Sequence, residues 1–265
     1  MKIDFVLHSS NSNPMYLDFW PLVSKVWTIR FGIRPLLVYI DEDHSIPIET
    51  TYGGVLKLKP VPGIPVYLQC QWVRFWIASQ FPDKVCMTSD IDMFPISKPY
   101  FIETIASIPD NKYVHLNANT RYGDQELYLP VCYHIAKGAL FKEIFSLHAS
   151  WEDSIRMLAS LPIEQNDYNK TIAHLADKPQ WGIDEEYTTK CVMEYHDRGR
   201  LMLVNRTHKR IDRERWAWTA EDIVADAYAD SHSLRPYGAH RQEIDRLVTF
   251  LTQMRGLSQI LYKRG

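Results

Sequence analysis

Glycine is scarce in this chain, with eleven among 265 residues against the roughly 7% of average usage. None falls in residues 9–13, the polar loop after the first apolar run. Neither a Walker phosphate loop nor the Gly-rich loop of a nucleotidyltransferase therefore opens the chain. Cysteine is sparse too. Cys70, Cys86, Cys132 and Cys191 lie far apart in apolar surroundings without a CxxC pair, which points to reduced thiols and away from a disulfide framework. Excess charge of one sign is also missing: 30 Lys+Arg offset 32 Asp+Glu for a net charge of -2. Nucleic-acid binders are usually basic, so no nucleic-acid partner is expected. No apolar run approaches the ~18 residues of a membrane span, and the first eight residues hold an apolar run too short for a signal peptide, with Asp4 inside it. A soluble, cytoplasmic protein is the expectation. Residues 254–264 mix Leu, Ile and Tyr with Arg255, Lys263 and Arg264, an amphipathic terminal helix that also permits a peripheral membrane contact.

What is present is an ordinary globular composition, 46% apolar and 23% charged, which excludes disorder and suits one large domain. An apolar run at 3–7 reads as a buried strand, followed by a helical pattern over 15–31 and a second buried strand at 35–41. Strand, helix, strand at this spacing is a βαβ unit, so the expected fold is α/β with a mostly parallel sheet flanked by helices. The Pro-rich stretch 57–65 reads as a surface loop or edge segment. Further helices are expected over 67–81, 139–147, 151–161, 184–195 and 241–254, and further strands over 85–88, 113–118 and 132–136. Residues 1–204 form one domain in this reading, with 205–265 a C-terminal extension packing on it.

The acidic pair Asp90-Ile91-Asp92 follows the apolar strand 85–88 and precedes Met93-Phe94-Pro95-Ile96. An isolated Asp-x-Asp carries little weight, and Asp41-Glu42-Asp43 supplies another that has no such setting. In open parallel sheets, however, ligands bind beyond the carboxyl ends of the strands. Residues i and i+2 of an extended segment project to one side, so both carboxylates can face one divalent cation. Hard oxygen ligands suit Mn²⁺ or Mg²⁺, which bridge phosphate oxygens.

In that setting residues 85–96 resemble the DxD segment of nucleotide-sugar-dependent glycosyltransferases with the GT-A fold. The resemblance covers roughly residues 1–195 in layout, and the DxD segment is its one motif. It implies a Rossmann-like mixed sheet and a nucleoside-diphosphate-sugar donor, UDP favoured, held through the cation. It also implies transfer to a hydroxyl of a glycan, protein or lipid acceptor. Ser9, Ser10 and Asn11 with Tyr16 would line the nucleotide, Asp41 would stand near the base, and Ser89 would join the donor site. Arg74, on the helix before the DxD strand, would reach the phosphates or the sugar. Glycogenin-like and related retaining galactosyltransferases carry a late His as third metal ligand before a basic residue and Pro. Residues 230–238, Asp-Ser-His-Ser-Leu-Arg-Pro-Tyr-Gly, are similar with a shorter His-to-Arg spacing. His232 is thus the expected ligand, His240 the fallback, and Arg235 the diphosphate clamp, since a guanidinium matches phosphate geometry.

For the sugar chemistry, Asp184 and then Glu185 are the candidates for a general base. The competing reading is a charged first helical turn complementing the helix dipole. Asn117 and Asn119 follow a strand and could bond sugar hydroxyls, though Asn is also a common turn residue. Trp181 is the candidate for stacking on the acceptor, whereas Trp20, Trp27, Trp72 and Trp76 sit on apolar helical faces and read as core. The basic run 206–215 reads as a solvated loop, with an anionic ligand the lesser alternative. Two other functions compete. Haloacid-dehalogenase-like phosphatases also use Asp-x-Asp after a strand, but Phe94 stands where Thr or Val is usual and the motif lies far from the N-terminus. A non-catalytic nucleotide- or carbohydrate-binding module would keep Asp90 and Asp92 without a working base.

Overall fold

A computed structural model describes residues 1–118, 129–162 and 180–262, with side chains as far as residue 254. The chain opens with β1 (Phe5–Ser10), whose polar loop leads through a single turn at Pro14–Leu17 into α1 (Trp20–Val26). Asn13 caps the turn by accepting the amide of Met15. The helix then widens into a π turn over Trp27–Phe31 and stops at Gly32, whose φ of 71° is a left-handed value that glycine tolerates. Next come β2 (Leu36–Ile40), β3 (Gly54–Leu58) and α2 (Val66–Ser79). The strand β4 (Val85–Thr88) matches its expected bounds, and β5 (Met93–Pro95) follows the acidic pair.

β6 (Tyr113–His115) and β7 (His134–Lys137) precede α3 (Gly138–Ile144), α4 (Trp151–Ala159) and α5 (Ile183–Glu194). The last part of the chain supplies β8 (Leu201–Leu203), β9 (Lys209–Ile211), β10 (Tyr228–His232) and the long α6 (Arg241–Tyr262). Seven strands form one sheet in the order β3-β2-β1-β4-β7-β6-β8. The first four run parallel, β7 is antiparallel to both its neighbours, and β8 is parallel to β6. A second sheet has the order β5-β10-β9.

Alternation within the strands builds two cores. On β2, Leu37 and Tyr39 face one side and Val38 and Ile40 the other. The continuous apolar run of this strand is the mark of a parallel strand covered on both faces. One core gathers Trp20, Trp27, Phe94, Phe101 and the α6 residues Ile244, Leu247 and Leu251. The other gathers Trp72 and Phe75 of α2 with Phe141, Phe145, Leu158 and Val192. Trp20, Trp27 and Trp72 are fully buried, as expected, and Trp76 is half-buried. The four thiols are free. Among the described residues no helix is long and apolar enough to cross a membrane. The side chains of 255–264, the stretch read as a surface helix, lie outside the described residues.

The Pro-rich stretch expected as loop or edge begins inside a strand, because β3 takes in Lys57 and Leu58 at the sheet edge. The short strands β5, β8, β9 and β10 have no sequence counterpart above; three or five residues carry too little periodicity to be seen.

Gly138 starts α3 against the C-terminal end of α2. A methyl group there would lie 2.1 Å from the Ala78 carbonyl oxygen and 2.4 Å from that of Phe81. Gly138→Ala is therefore expected to cost about 1–3 kcal/mol through forced backbone displacement. Gly238→Ala, with nothing within 4 Å of the new methyl, should leave the urea midpoint where it was; equal midpoints for both variants would contradict this packing.

Candidate active site

β1 and β4 lie side by side with Leu7 opposite Thr88, and the Ser89 amide donates to the Leu7 carbonyl at 3.0 Å. The loop 11–13 and the acidic pair therefore leave the sheet together, at the carboxyl ends of parallel strands where open sheets bind ligands. Asp41 closes β2 beside them, its Oδ2 accepting the Ser12 amide at 3.1 Å.

Arg74 reaches this edge from α2. It is buried, and its guanidinium donates to Asp90 Oδ1 at 2.6 Å and to the Ser89 carbonyl at 2.9 Å. Burial works against the charge of Arg74, but Asp90 outweighs it and raises the pKa. Asp92, 4% exposed, gathers three cationic groups. Arg213 donates to its Oδ2 at 2.9 Å, Arg235 Nε lies at 3.6 Å and His232 Nε2 at 3.7 Å. His232 Nδ1 in turn faces Asp212 at 3.8 Å. Burial disfavours the imidazolium, yet the carboxylates of Asp212 and Asp92 overcome it and raise the pKa of His232. Arg235 also donates to the Tyr16 hydroxyl at 2.7 Å, with its guanidinium 5.1 Å from the ring centre.

Strand register explains why residues so far apart in sequence meet here. β5 pairs with β10 so that Met93 lies opposite His232, and the Ser233 amide donates to the Asp92 carbonyl at 3.0 Å. β9 pairs with β10 with Ile211 opposite Ser231, which delivers Asp212 and Arg213 to the same edge. Behind them Asp230, fully buried, accepts from Tyr133 (2.8 Å), Arg206 (2.8 Å) and Arg210 (2.9 Å). Burial would raise its pKa; the two guanidiniums lower it to about 2.

Asp184, in the first turn of α5, is fully buried and neither carboxylate oxygen has a hydrogen-bond partner. Burial raises its pKa to about 6, against the pull of Arg74 and with the push of Asp90. Glu185 differs, its Oε1 accepting the Val131 amide at 3.3 Å.

The fold has a counterpart among solved structures. GlyE of Streptococcus pneumoniae TIGR4, in its apo form, superposes with a TM-score of 0.52 at 8% identity, over 98% of this chain and 64% of its own. The fold is that of GT-A glycosyltransferases. Galactosyltransferase LgtC, solved with donor and acceptor sugar analogues, is similar over 95% of this chain and 99% of its own, at 12% identity and TM-score 0.49. A glycosyltransferase involved in glycosylating the major capsid of PBCV-1 matches 91% of this chain and 98% of its own, at 14% identity and TM-score 0.44. No family model and no curated protein matches the sequence.

On this GT-A frame the structure joins Asp90, Asp92, His232, Arg235, Arg74 and Tyr16 into one cluster. His232 is the imidazole within 4 Å of Asp92 among the described residues, so the His240 fallback is not needed. Ser9 of β1 and Asn11 of the loop spend their side chains locally, Ser9 Oγ on the Cys70 carbonyl and Asn11 Oδ1 on the Asn13 amide. Ser89 is buried, with Oγ donating to the Asp90 carbonyl at 3.3 Å. Asn117 is buried beyond β6 and joined by its backbone amide to His115 Nδ1; Asn119 lies outside the described residues. Trp181 packs on Tyr67 with ring centres 5.8 Å apart.

Sequence reasoning passed over Arg213, Arg206 and Arg210, placing them in a solvated loop. Asp212 and Glu214 between them suggested self-neutralisation, and nothing local reveals that Asp92 and Asp230 are their partners. Among the described residues no three His, Cys, Asp or Glu side chains are grouped closely enough to hold a metal as they stand. The donor chemistry nonetheless fits. Asp92 Oδ2 and His232 Nε2 stand 3.7 Å apart, wider than the roughly 3.0 Å between adjacent octahedral ligands at about 2.1 Å from one cation, so a small approach would bring both onto it, and Asp90 lies two residues before Asp92.

Three histidines are buried beneath the site. Burial lowers His8 to about 3, His115 to about 4 and His134 well below its ordinary value. Each is neutral when folded and takes a proton on unfolding below about pH 6.5, so acid favours the unfolded chain. Asp184 opposes this by one proton between about pH 6 and 4, because its raised pKa makes the folded state bind the proton first. The net uptake of about two protons predicts a loss of stability of roughly 2–3 kcal/mol per pH unit near pH 5. Urea unfolding at pH 7, 6 and 5 checks this, and a flat profile would contradict the buried neutral histidines.

Proposed function

We propose that the protein is a metal-dependent glycosyltransferase, moving a sugar from a nucleoside diphosphate, UDP favoured, to a hydroxyl of a glycan, protein or lipid acceptor. The supporting observation is the convergence of His232, Arg213 and Arg235 on Asp92 at the ligand-binding edge of a GT-A sheet. One carboxylate cannot use three cationic partners fully, and a diphosphate has the anionic oxygens to take them.

Asp90, Asp92 and His232 would hold Mn²⁺ or Mg²⁺. When bound, the cation neutralises charge that develops on the departing diphosphate. Arg213 and Arg235 would then turn from Asp92 to phosphate oxygens, which they can grip with two N–H groups each. Arg74 fixes Asp90 and closes the site from the α2 side. Residues 9–13, Tyr16 and Asp41 would border the nucleotide. Residues 1–204 would form the donor-binding and catalytic domain, and 205–265 an extension that packs on it and contributes Arg213, His232 and Arg235.

Asp184 is the base we assign to the acceptor hydroxyl. Its pKa near 6 leaves it mostly ionised at neutral pH yet basic enough to accept a proton, and its oxygens are uncommitted. Glu185, tied to the Val131 amide, is the second choice.

Calorimetry with UDP and GDP, in Mn²⁺ and in EDTA, tests the donor site. Wild type should bind UDP only with the metal, and Asp92→Ala should abolish binding; tight binding indifferent to EDTA and to the substitution would refute the metal site. Asp184→Asn should keep UDP affinity and lower turnover about 10²–10⁴-fold, the usual worth of a positioned base. Release of UDP from UDP-sugars by wild type separates an enzyme from a binding module, and full turnover in Asp184→Asn would remove the assignment.

A further inference from the structure

Resting on the donor reading above, we infer that Gln71 is a specificity-determining residue that accepts a hydroxyl of the transferred sugar. Gln71 Oε1 is buried and has no hydrogen-bond partner. Buried side-chain acceptors are seldom left so, and each exception calls for an explanation. Tyr67, Gln71 and Arg74 fall at i, i+4 and i+7 of α2 and form one stripe along it. At one end of the stripe the Tyr67 ring packs on Trp181, just before α5, and at the other the Arg74 guanidinium holds Asp90. Gln71 lies between them, three residues and so about 4.5 Å along the axis from Arg74.

Among the described residues Gln71 Oε1 and both oxygens of Asp184 are buried acceptors without a hydrogen-bond partner. Arg74 gives Nε to the Gln71 backbone carbonyl and Nη1 to Asp90 and the Ser89 carbonyl. A carboxylate and an amide carbonyl need donors. A ligand offering several O–H groups on one rigid frame meets that need, and an anion does not. Arg74 marks the phosphate side of the seat through Asp90, so the ring attached to the diphosphate is the one within reach of Gln71.

The experiment compares UDP with UDP-glucose and UDP-galactose by calorimetry in Mn²⁺, on wild type, Gln71→Met and Gln71→Glu. Met keeps the size and removes the acceptor; Glu keeps an acceptor oxygen. Wild type should bind at least one of the UDP-sugars tighter than UDP. Gln71→Met should lose about five- to tenfold of that gain, the usual worth of one hydrogen bond, with UDP affinity and melting temperature unchanged. Gln71→Glu should retain most of the gain. An unchanged gain in Gln71→Met, or no gain in wild type, overturns the seat while leaving the nucleotide site standing. A parallel loss of UDP itself in Gln71→Met overturns it too, because Gln71 would then act on the nucleotide. Absence of any nucleotide binding by wild type overturns the donor reading, and this inference with it.

Discussion

Everything at the candidate site turns on the Asp92 carboxylate. It is nearly closed to solvent, and an isolated charge there would be costly. Arg213, His232 and Arg235 remove that cost by converging on one oxygen atom. They come from two stretches of the C-terminal part of the chain, Arg213 from one and His232 with Arg235 from the other, so the carboxylate is also what ties that part to the sheet edge. The pairing of β5 with β10 makes the convergence geometric rather than incidental, since it sets His232 opposite Met93, next to Asp92.

A similar economy operates one layer down. Asp230 is fully buried, and a lone carboxylate in that position would sooner be protonated. Arg206 and Arg210 hold it ionised instead, and Tyr133 adds a third bond. On the other flank Arg74 plays the matching part for Asp90. Acidic and basic side chains are therefore paired across the floor of the site. Asp184 stands outside this pattern, with no hydrogen-bond partner for either oxygen among the described residues.

The βαβ frame was legible because its signals are local. Runs such as 36–40 and 85–88 are short, continuously apolar and bounded by polar or turn residues, and Asp90 and Asp92 sit at the end of one of them. His232 was reachable through the basic-Pro-aromatic run that follows it, and Tyr16 and Arg74 through their place in the layout. Arg213 was not. Its partner lies about 120 residues away, and the charges beside it in sequence give the appearance of a neutral surface loop. The same reason hid β5, β9 and β10. Their strand character comes from pairing with each other across the chain, and no three-residue window carries it. Asn117, singled out by its place after a strand, is buried beyond β6.

The β5–β10 pairing has a bearing on how the protein is made. Met93 and His232 are separated by a loop of about 140 residues, among the least favourable closures in the chain during folding. A ribosome delivering this polypeptide would release the sheet core long before β10 emerged. Until then Asp92 would have neither imidazole nor guanidinium beside it. Synthesis order thus completes two things together: the partners of Asp92 and the α6 residues Ile244, Leu247 and Leu251 that close the first core all come late in the chain.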